Sequence, residues 1–200
     1  MAFTGMKYCV AAPVKAETRG QALTYDTGVV VGRAIGANVN WNRNSDALYA
    51  DDALAESDNS LTGGTVDINV DDISDEAQLV IFSQTKTDGT NSGPDVYHEN
   101  GDPSPYIGLG YYRVRRYKGV ETYVAYWIHK TQLAINSESA TTKGNTISWQ
   151  TPTATGNVMA VVNDSTGKNQ VRDRATFTDE SKAIEWLNTK ANIAAEWRAA

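Results

Sequence analysis

The stretch YIGLGYYRVRRYKGVETYVAYWIHK, residues 106–130, constrains the fold more than any other. Lys118-Gly119 suits a hairpin turn, because glycine accepts the positive φ that such a turn requires. On the second strand Val120, Thr122, Val124, Tyr126 and Ile128 share one face, and Tyr123, Ala125 and Trp127 share the other. Both faces are apolar, so both are expected to be buried. One face can serve the domain's own core. The other requires a helix, a second sheet or a neighbouring subunit. On the first strand Ile107, Leu109 and Tyr111 alternate, and Tyr112 and Val114 then follow in the opposite phase. A bulge near Tyr111-Tyr112 would account for the shift.

The rest of the chain extends this β reading. Most apolar runs are short, rich in Val, Ile, Thr and Tyr, and separated by turn residues. Strands are expected near Lys7–Val14, Gly28–Trp41, Gly64–Val70, Tyr106–Tyr117, Val120–His129, Thr146–Thr151 and Asn157–Asn163. Two segments carry helix signals. Ser74 can cap a first turn holding Asp75 and Glu76, followed by the apolar Ala77, Val80 and Ile81. A second helix is expected near 178–190, with Asp179 and Glu180 in its first turn and Ile184, Leu187 and Ala191 on one face. Trp186 and Trp197 lie off that stripe. Asn42–Gly63 and Lys86–Pro105 have neither period and read as long polar loops, arms with partners on another molecule. At 200 residues the chain suits one domain, taken as 1–162, with an extension at 163–200.

Charge is unevenly spread. Residues 44–102 hold fourteen acids and one base, Lys86, a local balance of −13. The remainder holds ten acids and seventeen bases, a balance of +7, so the total is −6. The net acidity argues against sequence-independent nucleic-acid binding, and complementary patches favour ordered self-association. The single cysteine, Cys9, excludes an internal disulfide and reads as a small apolar strand residue. No apolar run approaches the roughly 20 residues of a membrane helix. MAFTGMKYCV lacks a basic start followed by an apolar run, so no signal peptide is expected and synthesis in a reducing cytoplasm is. Gly28, Gly32 and Gly36 read as a strand thinned to let another backbone approach.

Few residues offer chemistry. Asp67, Asn69 and Asp71 match the first three positions of a calcium loop, but Asp72 stands where glycine is needed and Gln78 where a bidentate glutamate is needed. Val66, Ile68 and Val70 alternate with them, which reads better as a strand with one apolar and one acidic face. Paired carboxylates with Trp41, Tyr106 and Tyr112 as sugar platforms would suit glycoside hydrolysis, although a solvated acidic face explains acids this dense more simply. His98 and His129 form no zinc-ligand spacing, and there is no G-x-S-x-G, P-loop or G-x-G-x-x-G. Arg113, Arg115, Arg116 and Lys118 are basic enough to raise nucleic-acid binding, but they have complementary acids in the same chain and suit a subunit boundary better.

The order of these features resembles the major tail proteins of long-tailed, non-contractile bacteriophages, the siphovirus type. The residues that carry the resemblance are LYADDALAESDNSLTGGTVDINVDDIS, a helix, KTDGTNSG, and then PSPYIGLGYYRVRRYKGVETYVAYWIHKTQLAINSESATTKGNTISWQTPTATGNVMAV. They span about Lys7 to Val162. The resemblance implies a mainly β, sandwich or barrel-like tail-tube fold with one flanking helix, long inter-strand loops and a C-terminal helix. That fold is shared with the type VI secretion tube protein. It further implies hexameric rings stacked into a hollow tube in the virion, bridged by loops and arms, with no cofactor, no membrane and no catalysis. The implied partners are other copies of the chain, a tape-measure protein, a tail terminator and distal tail or baseplate proteins, with DNA only in transit.

Residue assignments follow. Asp67, Asn69 and Asp71 are the channel-lining candidates. An acidic lining repels a polyanion, and within a screening length of about 8 Å it acts as a non-stick surface. Leu48, Tyr49, Asp51 and Asp52 are candidates for a loop at a ring interface. Arg113, Arg115, Arg116, Tyr123 and Trp127 are candidates for an inter-subunit hairpin face. Two alternatives remain at this point: a β-sandwich carbohydrate-binding module, for which Tyr112, Tyr123 and Trp127 must be exposed, and a glycoside hydrolase with two carboxyls in a cleft.

Overall fold

The computed structural model describes residues 2–18, 21–50, 52–90, 93–135, 142, 150–163 and 167–194. In chain order the first elements are β1 (Ala2–Ala16), β2 (Thr24–Tyr25), β3 (Val29–Gly32), β4 (Ala34–Arg43), β5 (Asp46–Ala50), β6 (Ala53–Asp58) and β7 (Leu61–Val70). Helix α1 (Asp75–Phe82) follows, then β8 (Thr85–Thr87), β9 (Val96–His98), β10 (Ile107–Tyr117) and β11 (Val120–Ala134). The chain ends with β12 (Thr153–Met159), β13 (Val161–Asn163), β14 (Lys168–Gln170), β15 (Arg172–Phe177) and α2 (Glu180–Ala191). The fold is mainly β, as expected. Of the strand expected at Thr146–Thr151, residues 146–149 lie outside the described residues, as does Trp197, and the neighbouring strand begins at Thr153.

The main sheet is antiparallel and runs β1–β10–β11–β12–β7–β4. It then returns on itself. Only Arg33 separates β4 from β3, and β3 pairs with β1 at Cys9, Val10 and Ala11. The sheet thereby curls into a six-stranded, barrel-like form that backbone pairing closes only at Cys9, Val10 and Ala11. Its interior is filled by alternate residues of every strand, among them Cys9, Val66, Ile68, Leu109, Tyr126, Ile128 and Leu133. Ser74 Oγ accepts the Ala77 N–H and starts α1, whose Ala77 and Ile81 complete the same core.

The second apolar face of β11 is covered by the chain's own C-terminal helix. Tyr8, Val10, Tyr112, Ala125 and Trp127 pack against Ala183, Leu187 and Ala191 of α2. Asp179 caps α2 by accepting the Ser181 N–H. The carbonyl of Ala191 at its other end accepts the Gly28 N–H at 2.8 Å. β15 pairs with β11 from Tyr123 to Ile128 beneath this helix. The boundary expected at 162/163 is therefore not a structural one, because the last segment supplies β15 to the main sheet and, in α2, the cover of the second core.

The expected bulge at Tyr111-Tyr112 is also corrected. Register between β10 and β11 is unbroken from Leu109 to Tyr117. β10 simply has two buried faces, and on the outer one Gly108 and Gly110 leave room for the Trp127 indole. A Cβ would lie 2.3 Å from Trp127 at Gly108 and 2.7 Å from it at Gly110. The irregularity sits on the opposite strand, where β1 advances from Lys7 to Val10 while β10 goes only from Tyr112 to Gly110. Tyr8 there has φ 55°, and the consecutive Lys7 and Tyr8 both turn to α2. Lys7 Nζ donates to Glu180 at 3.0 Å and the Tyr8 hydroxyl to Asn188 Oδ1 at 2.6 Å. The glycine reading holds at two of its three positions. A Cβ would meet the Ala191 and Ala11 carbonyls at Gly28 and the Asp72 carbonyl at Gly32, while Gly36 is open.

Candidate functional site

Three surfaces remain once the two cores are filled. The first is the outward face of β4, β7 and β12. Asn38, Asp67 and Thr155 form one cross-strand row and Asn40, Thr65 and Asn157 the next. Asp67 and Asn69 share this face, as the alternation with Val66, Ile68 and Val70 implied. Asn69 Oδ1 accepts from the hydroxyls of Thr151 and Thr153 at 3.3 and 3.2 Å. Asp71 does not join them. It follows the end of β7, where its carboxylate accepts the N–H groups of Arg33 and Asp72 at 2.8 and 2.9 Å. The face is thus built mainly from amides and hydroxyls, with Asp67 its carboxylate.

The second surface corrects the expectation of a structureless loop at Asn42–Gly63. Asp46–Ala50 and Ala53–Asp58 form a two-stranded ladder, β5 with β6, that continues from the ends of β4 and β7. Every described residue of these two strands is exposed. Leu48, Tyr49 and Leu54 show 59%, 69% and 57% of their surface to solvent. Asp46 stands directly opposite Asp58, an unfavourable like-charge pair. Asp58 is held ionised at the arm's base. Hydrogen bonds from the Asn44 amide and from the Ser60 N–H and hydroxyl lower its pKa. Asp52 has φ 59° and turns the hairpin; Asp51 lies outside the described residues. Lys86–Pro105 likewise contains the small β8–β9 ladder, held by Lys86 Nζ at 2.9 Å from Asp88 and 2.7 Å from Asp95.

The third surface is the seam of the barrel. Among the described residues, β1 from Ala2 to Lys7 pairs only with β10, and β4 only with β7. Between these two unpaired edges lies a cleft of about 500 Å³, lined by Phe3, Met6, Trp41, Tyr111, Arg113 and Arg172. The Arg113 guanidinium lies 3.8 Å from the centre of the Phe3 ring, and that of Arg172 lies 4.9 Å from Trp41 and 4.6 Å from Tyr126.

The hairpin candidates therefore separate. Arg113 faces the cleft. Arg115 Nε donates to Thr122 Oγ1 at 3.0 Å, and Arg116 lies 3.9 Å from Glu121 at the exposed hairpin end. Tyr123 is half-buried, edge-on to Tyr112. Trp127 is 0% exposed, so it has no surface to offer a second subunit. The physical reason is α2: of the helix, second sheet or neighbouring subunit that this face requires, the chain's own helix does the covering.

One polar cluster went unread in the sequence. Asp173 of β15 sits between His129 Nε2 at 3.1 Å and Lys190 Nζ at 2.8 Å. The His129 hydrogen bond, aided by Lys190, holds the Asp173 carboxyl well below the usual carboxylate range against the opposing effect of burial. The cluster ties β11, β15 and α2 together, and its members lie too far apart in the chain to form a motif. Among the described residues no three His, Cys, Asp or Glu side chains are grouped to hold a metal ion, and no helix is long and apolar enough to cross a membrane. No protein-family model and no curated protein matches the chain.

Proposed function

We propose that this chain is a structural subunit of a bacteriophage tail tube, assembling as hexameric rings stacked around a channel that DNA crosses during delivery. The observation that carries the reading is the β5–β6 arm. A lone two-stranded hairpin is marginal in water, yet this one holds three large apolar side chains away from both cores. A partner that covers them removes that cost, and the resemblance names the partner as further copies of the chain.

The outward face of β4, β7 and β12 is the channel side in this reading. Asparagine and threonine dominate it, with Asp67 as its carboxylate, so it gives a polyanion no cationic hold. This sharpens the expected acidic lining into a polar, weakly negative one. The carbohydrate alternative draws less support, because Tyr112 and Trp127 are buried. Tape-measure, terminator and distal tail proteins remain the partners implied by resemblance, and the virion its location.

Electron microscopy of the purified chain tests the proposal. Rings or tubes are the expected result; a protein that stays monomeric at high concentration overturns it. Within assembled tubes, Asp67→Lys is expected to leave assembly intact and to retain DNA in the channel, read as slowed genome release. Unchanged release would remove the lining assignment.

A further inference from the structure

The geometry points to a specific seat for the arm: the acidic β5–β6 hairpin of one copy docks in the arginine-lined seam of another. The inference rests on the tube reading for the stacked array and adds which two surfaces meet. Each surface lacks what the other has. The arm presents Leu48, Tyr49 and Leu54 with Asp46, Asp52 and Glu56, and residues 46–58 contain no base. The seam presents aromatic floor residues with Arg113 and Arg172, neither of which has a carboxylate partner among the described residues. Both guanidiniums lie over aromatic rings, 3.8 Å from the Phe3 centre and 4.9 Å from that of Trp41, and an arginine seated on a ring can still offer N–H groups to a carboxylate. The seam also offers two strand edges without ladder partners, and a hairpin can extend such an edge by backbone hydrogen bonds.

The arm leaves the seam of its own chain open: every described residue of β5 and β6 is exposed. Asn44 N donates to the Ser60 carbonyl at 2.8 Å, and the Asn44 amide to Asp58 at 2.8 Å, so the hairpin continues the line of β4 and β7. The seam lies back along β4 toward Gly36. Docking is therefore between copies. Because arm and seam are different patches, the contact is heterologous and propagates into a ring or an open stack. Its charged component weakens as salt rises.

The test mixes two full-length variants, Ala50→Cys and Gly36→Cys, with a short bis-maleimide. A side chain at Gly36 meets nothing within 4 Å, and Ala50 is exposed, so both variants keep the fold. Cys9 contributes no background, being fully buried with its thiol pushed up to about 12. The expected result is a linked heterodimer at about tenfold the yield of a control pair, Ala50→Cys with Val120→Cys, and a loss of about the same factor when Asp46→Lys and Glu56→Lys are added to the arm. Tubes that form without this cross-link overturn the seat and leave the tube reading standing. Cross-linked pairs that never form tubes support the seat and remove the tube reading. Equal yields in both pairs, or neither cross-link nor assembly, overturn the seat.

Discussion

The β10–β11 and β5–β6 hairpins share the same antiparallel pairing and have opposite surroundings. In the first, the barrel core covers one face and α2 the other, so that Tyr112, Tyr126 and Trp127 are almost wholly withdrawn from water. In the second, every described residue of both strands is exposed. Burial on two sides makes the first hairpin a determinant of the fold's stability. Burial on neither side leaves the second with little to contribute to it. A residue's place in a hairpin therefore says little about what its loss would do; the layer above it decides.

The largest expected effect follows from emptying the doubly covered hairpin. Trp127→Ala removes the indole that fills the space over Gly108 and Gly110 beneath α2. It is expected to destabilise the subunit by about 3–5 kcal/mol, read as a shifted denaturant midpoint. A cost near zero would mean that α2 does not pack there. Overfilling the same space comes next. A methyl at Gly110 would sit 2.7 Å from Trp127 and 2.9 Å from Leu187. Gly110→Ala is expected to cost about 1–3 kcal/mol, whereas Gly36→Ala, beside open space, should cost far less.

A third effect concerns how α2 is pinned. Asp173 has a depressed carboxyl pKa in the fold, so the unfolded chain binds its proton more readily than the folded one. Its stabilisation is complete above the unfolded value of about 3.9 and is lost as pH falls below it. The denaturant midpoint should decline over that acidic range, and Asp173→Asn should flatten the decline. Glu180 adds in the same direction, its pKa lowered by the Tyr112 hydroxyl and by Lys7. An unchanged pH profile in Asp173→Asn would place the acid sensitivity elsewhere.

The contrast between the hairpins also explains what was legible in the sequence. Period-two alternation records burial on one side, and it located β7 through Val66, Ile68 and Val70. Apolar residues at every position recorded burial on both sides and located β11. A strand buried on neither side leaves no such record, and β5, β6, β8 and β9 accordingly carry no strand signal in the sequence. The start of helix α2 and its face are legible from Asp179, Leu187 and Ala191, but its seat over Trp127 is not, since that depends on a contact about 60 residues away. β15 escaped because its inward residues are Asp173, Ala175 and Phe177, and the first of these is charged. In the candidate surfaces, Asp67 and Asn69 were placed together correctly by periodicity, while Asp71 was separated from them by the end of the strand, a boundary that alternation alone does not mark.

The smallest expected effect on stability is also the one that bears most on the proposed assembly. Leu48, Tyr49 and Leu54 touch neither core, so replacing any of them with serine should move the unfolding free energy of the isolated subunit by no more than about 0.5 kcal/mol. If the arm is a docking element, Tyr49→Ser should nevertheless raise the concentration at which particles form by about tenfold, because an aromatic side chain buried at a contact contributes on the order of 1.4 kcal/mol or more. Light scattering against concentration, beside denaturation of the same sample, separates the two quantities. Loss of assembly with an unchanged midpoint is the outcome that the exposed hairpin requires. A shifted midpoint without loss of assembly would mean that the arm packs against its own barrel in solution, and the difference between the two hairpins would then be one of degree.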